Sequence, residues 1–276
     1  MSERGETSGA SRPHSPVLVP QWPAPANVAA FFTTRQGGVS TGRWAGAQGM
    51  GGLNLGENCG DEPALVAVNR RRLEEQVGLR ISWLHQVHGS RVLEVAGIGG
   101  AGIVERAGAV ADAQMTTAAG VALGVLVADC LPVLLTDRDG SIVGAAHAGW
   151  RGLAAGVLEN AIALMRQRRP DADLIAWLGP CIGPAAFEVG EDVVRAFVVQ
   201  DPQSASSFVP AEAAGKWWAD LPGLAARRLR REGVSSITGA DACTVGDPER
   251  FWSYRRDGVC GRMAGVIGLR TRADKA

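Results

Sequence analysis

Gly120-Val121-Ala122-Leu123-Gly124-Val125-Leu126-Val127-Ala128-Asp129-Cys130-Leu131-Pro132-Val133-Leu134-Leu135 is the longest apolar stretch of the chain, and Asp129 and Pro132 interrupt it. A membrane span needs roughly 18 to 20 uninterrupted apolar residues, so this segment is too short and too broken to be one. Its richness in Val reads as buried strands, Val121 to Val127 and Val133 to Thr136, on either side of Asp129-Cys130-Leu131-Pro132. Downstream, Asp139-Gly140 is a hairpin signal, and Ile142 to Ala146 is a strand that ends at His147. Upstream, Trp83 to Val95 reads as strand, tight turn at His88-Gly89-Ser90, and strand.

The remaining elements follow from periodicity. Val28 to Thr34, Leu174 to Leu178, Ile237 to Val245 and Ala264 to Leu269 read as strands. Pro63 to Leu79, Leu153 to Gln167, Val193 to Val199 and Trp217 to Glu232 read as helices. Asp61 is a plausible N-cap for the first helix and Gly78 its stop. The basic face of the last one (Arg227, Arg228, Arg230, Arg231) reads as solvated. Gln36 to Gly60 is Gly-rich and reads as a long ordered loop. Residues 1–27 read as a flexible tail, and residues 28–276 as a single domain without internal repeat. Strands and helices do not alternate strictly, so the fold class is α/β with mixed rather than doubly wound parallel sheets.

Composition narrows function. The 276 residues carry 28 basic and 28 acidic side chains, and this balance argues against a nucleic-acid binder held by phosphate contacts. No basic region followed by an apolar one opens the sequence, and five cysteines without short regular spacing do not form a disulfide framework, so the expected compartment is the cytoplasm. The four histidines (His14, His85, His88, His147) are too few for a multinuclear copper centre. On a straight strand His85 and His88 point to opposite faces, and His88, followed by Gly89, is the better ligand. His147 ends a strand beside small residues, and Cys130 follows an apolar strand with Asp129 before it and Pro132 after. His88, Cys130 and His147 therefore read as a Zn²⁺ site with one open position, against the alternative that all three are ordinary core residues. Phe251-Trp252-Ser253-Tyr254-Arg255-Arg256-Asp257-Gly258 could grip a phosphate or form a solvated turn, and Gly179-Pro180-Cys181-Ile182-Gly183 could nest an anion.

These segments, with Phe32-Thr33-Thr34-Arg35-Gln36-Gly37-Gly38-Val39-Ser40, Leu53-Asn54-Leu55-Gly56, Gln86-Val87-His88-Gly89 and Ala146-His147-Ala148-Gly149-Trp150-Arg151-Gly152, resemble the YfiH family from about Phe31 to Leu269. Its members are also called laccase-domain or polyphenol oxidase proteins, peptidoglycan editing factors and purine nucleoside phosphorylases. Phe187, Trp252 and Ala185-Ala186 depart from the usual pattern without touching the ligands. The resemblance implies a compact layered α/β fold of mixed sheets flanked by helices, like that of cytotoxic-necrotizing-factor-type hydrolases. It implies metal ligands at His88, Cys130 and His147, with zinc as the metal and copper able to load in vitro.

The leading activity it implies is zinc-dependent phosphorolysis of adenosine, inosine and methylthioadenosine, with adenosine deamination. One alternative is an amide hydrolase that removes L-Ser from a UDP-N-acetylmuramoyl precursor, with Cys130 as ligand or as nucleophile. The other is a copper-dependent polyphenol oxidase. On the leading reading the partner is a small molecule, with neither nucleic acid nor membrane involved. Asp129 and Arg255 are then the expected catalytic residues, and Arg35, Asn54, Cys181, Ser253 and Arg256 the expected substrate contacts.

Overall fold

The computed structural model of the protein describes residues 16–96 and 109–271. Five strands form one sheet in the order β1 (Val17–Leu18), β2 (Val28–Thr33), β15 (Met263–Leu269), β7 (Val121–Val127) and β4 (Arg80–Ser82). Six form a second, in the order β14 (Ser236–Gly239), β10 (Leu174–Leu178), β8 (Leu131–Asp137), β9 (Val143–Ala148), β6 (Ala113–Thr116) and β5 (Val92–Glu94). A small antiparallel sheet joins β11 (Glu188–Gly190), β13 (Lys216–Ala219) and β12 (Phe208–Pro210). Both large sheets are mixed: β4 with β7, β5 with β6 and β10 with β14 run parallel, and their other pairs are antiparallel.

The two large sheets face each other. Leu123, Val125 and Val127 of β7 meet Leu134 of β8 and Val143 and Ala145 of β9 in one core. Alternate residues point the other way. Ala122 of β7 and Ala264 and Val266 of β15 pack under Leu73 of α1 (Pro63–Val77). Leu131, Val133 and Leu135 of β8 pack under α3 (Val157–Arg168) and α5 (Leu221–Arg231). The layers are therefore helix, sheet, sheet, helix. The opening stretch is apolar at nearly every position because both faces of both its strands are buried. Its two strands belong to different sheets, and Ala128-Asp129-Cys130 is the corner between them.

Several boundaries differ from the sequence reading, each for a local reason. Trp83 to Val95 is not a hairpin: β4 and β5 lie in different sheets, and the segment between them is irregular, with His88 at φ 60°. Trp217-Trp218 is strand rather than helix, since these bulky aromatics pair on both sides in the small sheet. The helix α5 starts only after Asp220, whose carboxylate accepts a hydrogen bond from the Gly223 amide at 2.9 Å. Removing this cap in Asp220→Ala is expected to cost about 1 kcal/mol, read as a lower midpoint in urea unfolding.

Leu153 to Gln167 is two helices, α2 (Trp150–Ala154) and α3, separated at Gly156 with φ 90°. The helix α4 (Glu191–Val198) stands close to its expected bounds. The strand expected over Ile237 to Val245 stops at Gly239, where Ala240 turns to φ 68°. Gln36–Ser40, read as loop, is the short strand β3, and Glu62 rather than Asp61 stands at the N-cap position of α1, with no side-chain capping hydrogen bond. The Asp61 carboxylate instead accepts from Ser40 Oγ at 2.7 Å and Asn54 Nδ2 at 2.8 Å. The basic face of α5 is not simply solvated, since Arg227 and Arg231 pair with Asp201 and the buried Arg228 pairs with Glu159. In the segment read as a tail, residues 1–15 lie outside the described residues, while Val17–Leu18 pairs with β2.

Candidate metal centre

Strand pairing brings the three candidate ligands together. His147 stands opposite Pro132 in the β8–β9 ladder, which sets it beside the corner that carries Cys130. The neighbouring strand β6 follows Asp112, whose carbonyl accepts the His147 amide at 2.7 Å. The Asp112 carboxylate, fully buried, accepts from His147 Nδ1 at 2.9 Å and from the amides of His88 at 2.9 Å, Gly89 at 2.7 Å and Val87 at 3.2 Å. One acid thus fixes the ring of His147 and the turn that presents His88. Gln86 adds a second tie, its side-chain amide bonding both the N–H and the C=O of Leu126 in β7.

The outcome is one group in which the ligand atoms of His88, Cys130 and His147 all lie within 4.8 Å of one another. The two imidazole rings stand edge to face with centroids 4.8 Å apart. His147 is buried and His88 exposed, so the group opens to one side. Burial pushes the Cys130 thiol up, but the opposing effect of His147 and then His88 is larger and holds it at about 6. Burial likewise disfavours the His147 cation, yet Cys130 and Asp112 raise it to about 9. A thiolate beside imidazoles, one of them anchored through Nδ1 so that Nε2 faces the group, is a donor set that suits Zn²⁺.

Glycines let the elements close on this group. A Cβ at Gly149, at the start of α2, would lie 2.8 Å from His88 Nδ1 and 2.9 Å from Cys130 Sγ. One at Gly152 would lie 2.6 Å from the Gly89 carbonyl oxygen. Gly149→Ala is therefore expected to weaken metal affinity at least about tenfold while leaving the melting temperature close to wild type, since its backbone angles suit alanine and the core is untouched. Metal titration and a thermal melt on the same protein check this.

The group lies in a cleft of about 1080 Å³, ample for a small molecule. Its lining includes the charged residues Arg70, Glu74 and Arg80 and the apolar or aromatic residues Trp150, Ile182, Phe187, Leu221 and Tyr254. His85 also lines the cleft; contrary to the sequence reading it does not face away, although it stands outside the three-residue group.

The other expected site residues are distributed differently. Asp129 lines the cleft, but its carboxylate already accepts from Thr244 Oγ1 at 2.5 Å, Ser253 Oγ at 3.0 Å and the Arg255 amide at 2.6 Å. It ties the C-terminal segment to the Cys130 corner. Arg255 lines the cleft with its guanidinium donating to the Ala186 and Glu188 carbonyls. Ser253 is buried and caps the short helix α6 (Tyr254–Asp257). Arg256 donates to the carbonyls of Thr244, Val245 and Phe251, so it serves as a brace.

Arg35 bonds the Pro248 and Ala45 carbonyls, away from the cleft. Asn54 stands behind the cleft wall, where its Oδ1 accepts the Gly56 and Arg262 amides. Cys181 is buried, its thiol raised well above the usual range first by burial and then by Cys243. The nest expected around it is absent. The amides of Gly179, Cys181 and Ile182 go to backbone carbonyls and that of Gly183 to Cys243 Sγ, leaving none for an anion.

The residue that sequence reasoning missed is Asp112. Its signal was an acid between Ala111 and Ala113 at the start of a strand, a setting where a charge is buried only if its partners are fixed.

A layered α/β fold with two imidazoles and one thiolate meeting in an open cleft defines a protein with a candidate mononuclear metal centre. The chain belongs to the YfiH family: residues 29–270 match the family model described as multi-copper polyphenol oxidoreductase laccase. It is 46% identical over 252 residues to a purine nucleoside phosphorylase of Pseudomonas aeruginosa, spanning 91% of this chain and 98% of that one. It is 45% identical over 257 residues to the purine nucleoside phosphorylase YfiH of Escherichia coli, spanning 92% and 99%. The crystal structure of a Neisseria meningitidis protein superposes with a TM-score of 0.83 at 44% identity, over 93% of this chain and all of that one.

Proposed function

We propose that this protein is a zinc-dependent purine nucleoside phosphorylase with adenosine deaminase activity, residues 28–276 acting as one cytoplasmic catalytic domain. The observation that carries the reading is the His88, Cys130 and His147 group in an open cleft, in a chain that matches named phosphorylases along nearly their whole length. Zinc, when bound, supplies a Lewis acid that stabilises developing negative charge on oxygen and activates water.

The chain's own residues do the rest. Asp112 holds the His147 proton at Nδ1, which leaves Nε2 as donor. Cys130 enters as thiolate. Tyr254 lines the cleft and is 59% exposed, so its ring is free to receive a purine. Asp129 and Arg255 shape the cleft wall, as their hydrogen bonds are spent within the protein. The test is to incubate metal-replete protein with inosine, with and without inorganic phosphate, and follow products by mass spectrometry. Phosphate-dependent ribose 1-phosphate and hypoxanthine are expected. Absence of both, or base release that ignores phosphate, overturns the reading.

A further inference from the structure

Five arginines line the cleft, and four of them are already engaged. Arg70 pairs with Glu57 at 2.5 Å and donates to the Leu55 carbonyl, while Arg80 pairs with Glu74 at 3.1 Å. Arg255 donates to the Glu188 carbonyl, and Arg262 to the Cys260 and Gly261 carbonyls. Arg151 differs. Among the described residues no carboxylate or carbonyl meets its guanidinium, whose carbon stands 4.3 Å from the centroid of the Trp150 ring. Stacking on an indole holds a guanidinium by its face and leaves its N–H fork free at the edge.

Its backbone is fixed against the metal group from both sides. Arg151 lies between Gly149, pressed on His88 and Cys130, and Gly152, pressed on the Gly89 carbonyl. A free, oriented, always-charged fork on the turn of helix that touches the candidate metal ligands is suited to a tetrahedral oxyanion.

We infer that Arg151, a residue that the sequence reading did not place among the expected catalytic residues or substrate contacts, binds the inorganic phosphate co-substrate in this cleft. The inference rests on the phosphorolysis reading. In that reaction a phosphate oxygen forms a bond to C1′ of the ribose as the C1′–N bond to the purine breaks. The base leaves with the electron pair and takes the proton that monohydrogen phosphate gives up. Arg151 holds the non-attacking oxygens and stays protonated throughout. It is a binding residue, so its loss acts on phosphate and not on nucleoside.

The experiment compares wild type, Arg151→Gln and Arg151→Lys as metal-loaded proteins, by steady-state kinetics and by calorimetric titration with inorganic phosphate alone. In Arg151→Gln the KM for phosphate is expected to rise about tenfold or more, with the KM for inosine within about twofold and metal content unchanged. Arg151→Lys, which keeps the charge but not the fork, is expected to fall between. Because, among the described residues, the side chain makes no hydrogen bond or ion pair and only stacks on Trp150, the melting temperature should move little, and Arg151→Lys carries the test should the glutamine variant fold poorly. Wild-type phosphorolysis with an unchanged phosphate KM in both variants overturns the inference and leaves the proposed function standing. If wild type lacks phosphorolysis, the function fails, and the titration still decides. Phosphate binding lost in Arg151→Gln supports the oxyanion site; no binding, or binding equal in both proteins, overturns it.

Discussion

Cys130→Ser is expected to lose its bound zinc and with it about three orders of magnitude in phosphorolysis rate, while remaining folded. The sulfur is one of three donors, and a serine hydroxyl does not ionise near neutral pH to replace a thiolate that sits at about 6. A metal ion contributes several kcal/mol of charge stabilisation, and about 4 kcal/mol corresponds to roughly 10³ in rate. Folding should survive because Cys130 is only partly buried at a corner and serine fills nearly its volume. Metal content and turnover measured on one preparation check this. Full activity in a zinc-free Cys130→Ser protein would contradict it.

Asp112→Ala is expected to be damaging in a different way, through stability and metal affinity together. Its fully buried carboxylate holds four donors, the Nδ1–H of His147 and the amides of Val87, His88 and Gly89. Alanine leaves them unpaired, and the loss of a buried charged partner costs about 3 to 5 kcal/mol. Metal affinity should drop about 10- to 100-fold as His147 loses its anchor. Asp112→Asn, which keeps one acceptor oxygen and the shape, should recover part of the stability, read by urea unfolding beside a zinc titration. Wild-type stability in the alanine variant would show that the acid does not organise the site.

The two halves of the site differ in how legible they were in the sequence. The Val-rich strands around Asp129-Cys130 stood out because both faces are buried, and the small residues around His147 marked a strand end with room beside it. The failure at Trp83 to Val95 has one physical origin. Apolar residues around a His-Gly turn look like a hairpin, whereas here they bridge two sheets, and the turn is held by Asp112, an acid distant in sequence. The same error misjudged His85, because the opposite-face argument holds only on a straight strand.

The arginines were misread for a related reason. Arg35, Arg255 and Arg256 belong to distinctive motifs, but their guanidiniums are spent on backbone carbonyls, those of Pro248 and Ala45 for Arg35, of Glu188 in β11 for Arg255, and of Thr244, Val245 and Phe251 for Arg256. Arg151 stood inside the His147 motif and drew no separate notice, since nothing in a sequence tells which guanidinium is left without a partner. Asn54 and Ser253 show the same pattern, as buried polar groups that brace the cleft from behind.

On the proposed function, His88, Cys130 and His147 hold a single zinc ion. X-ray absorption at the zinc edge on protein purified without added metal tests it most directly. The expected result is about one zinc per chain, with one sulfur neighbour near 2.3 Å and two nitrogen neighbours at about 2.0 to 2.1 Å. In Cys130→Ser the sulfur neighbour should vanish. A zinc ion with no sulfur neighbour in the wild-type protein, or a spectrum unchanged in Cys130→Ser, would contradict the account.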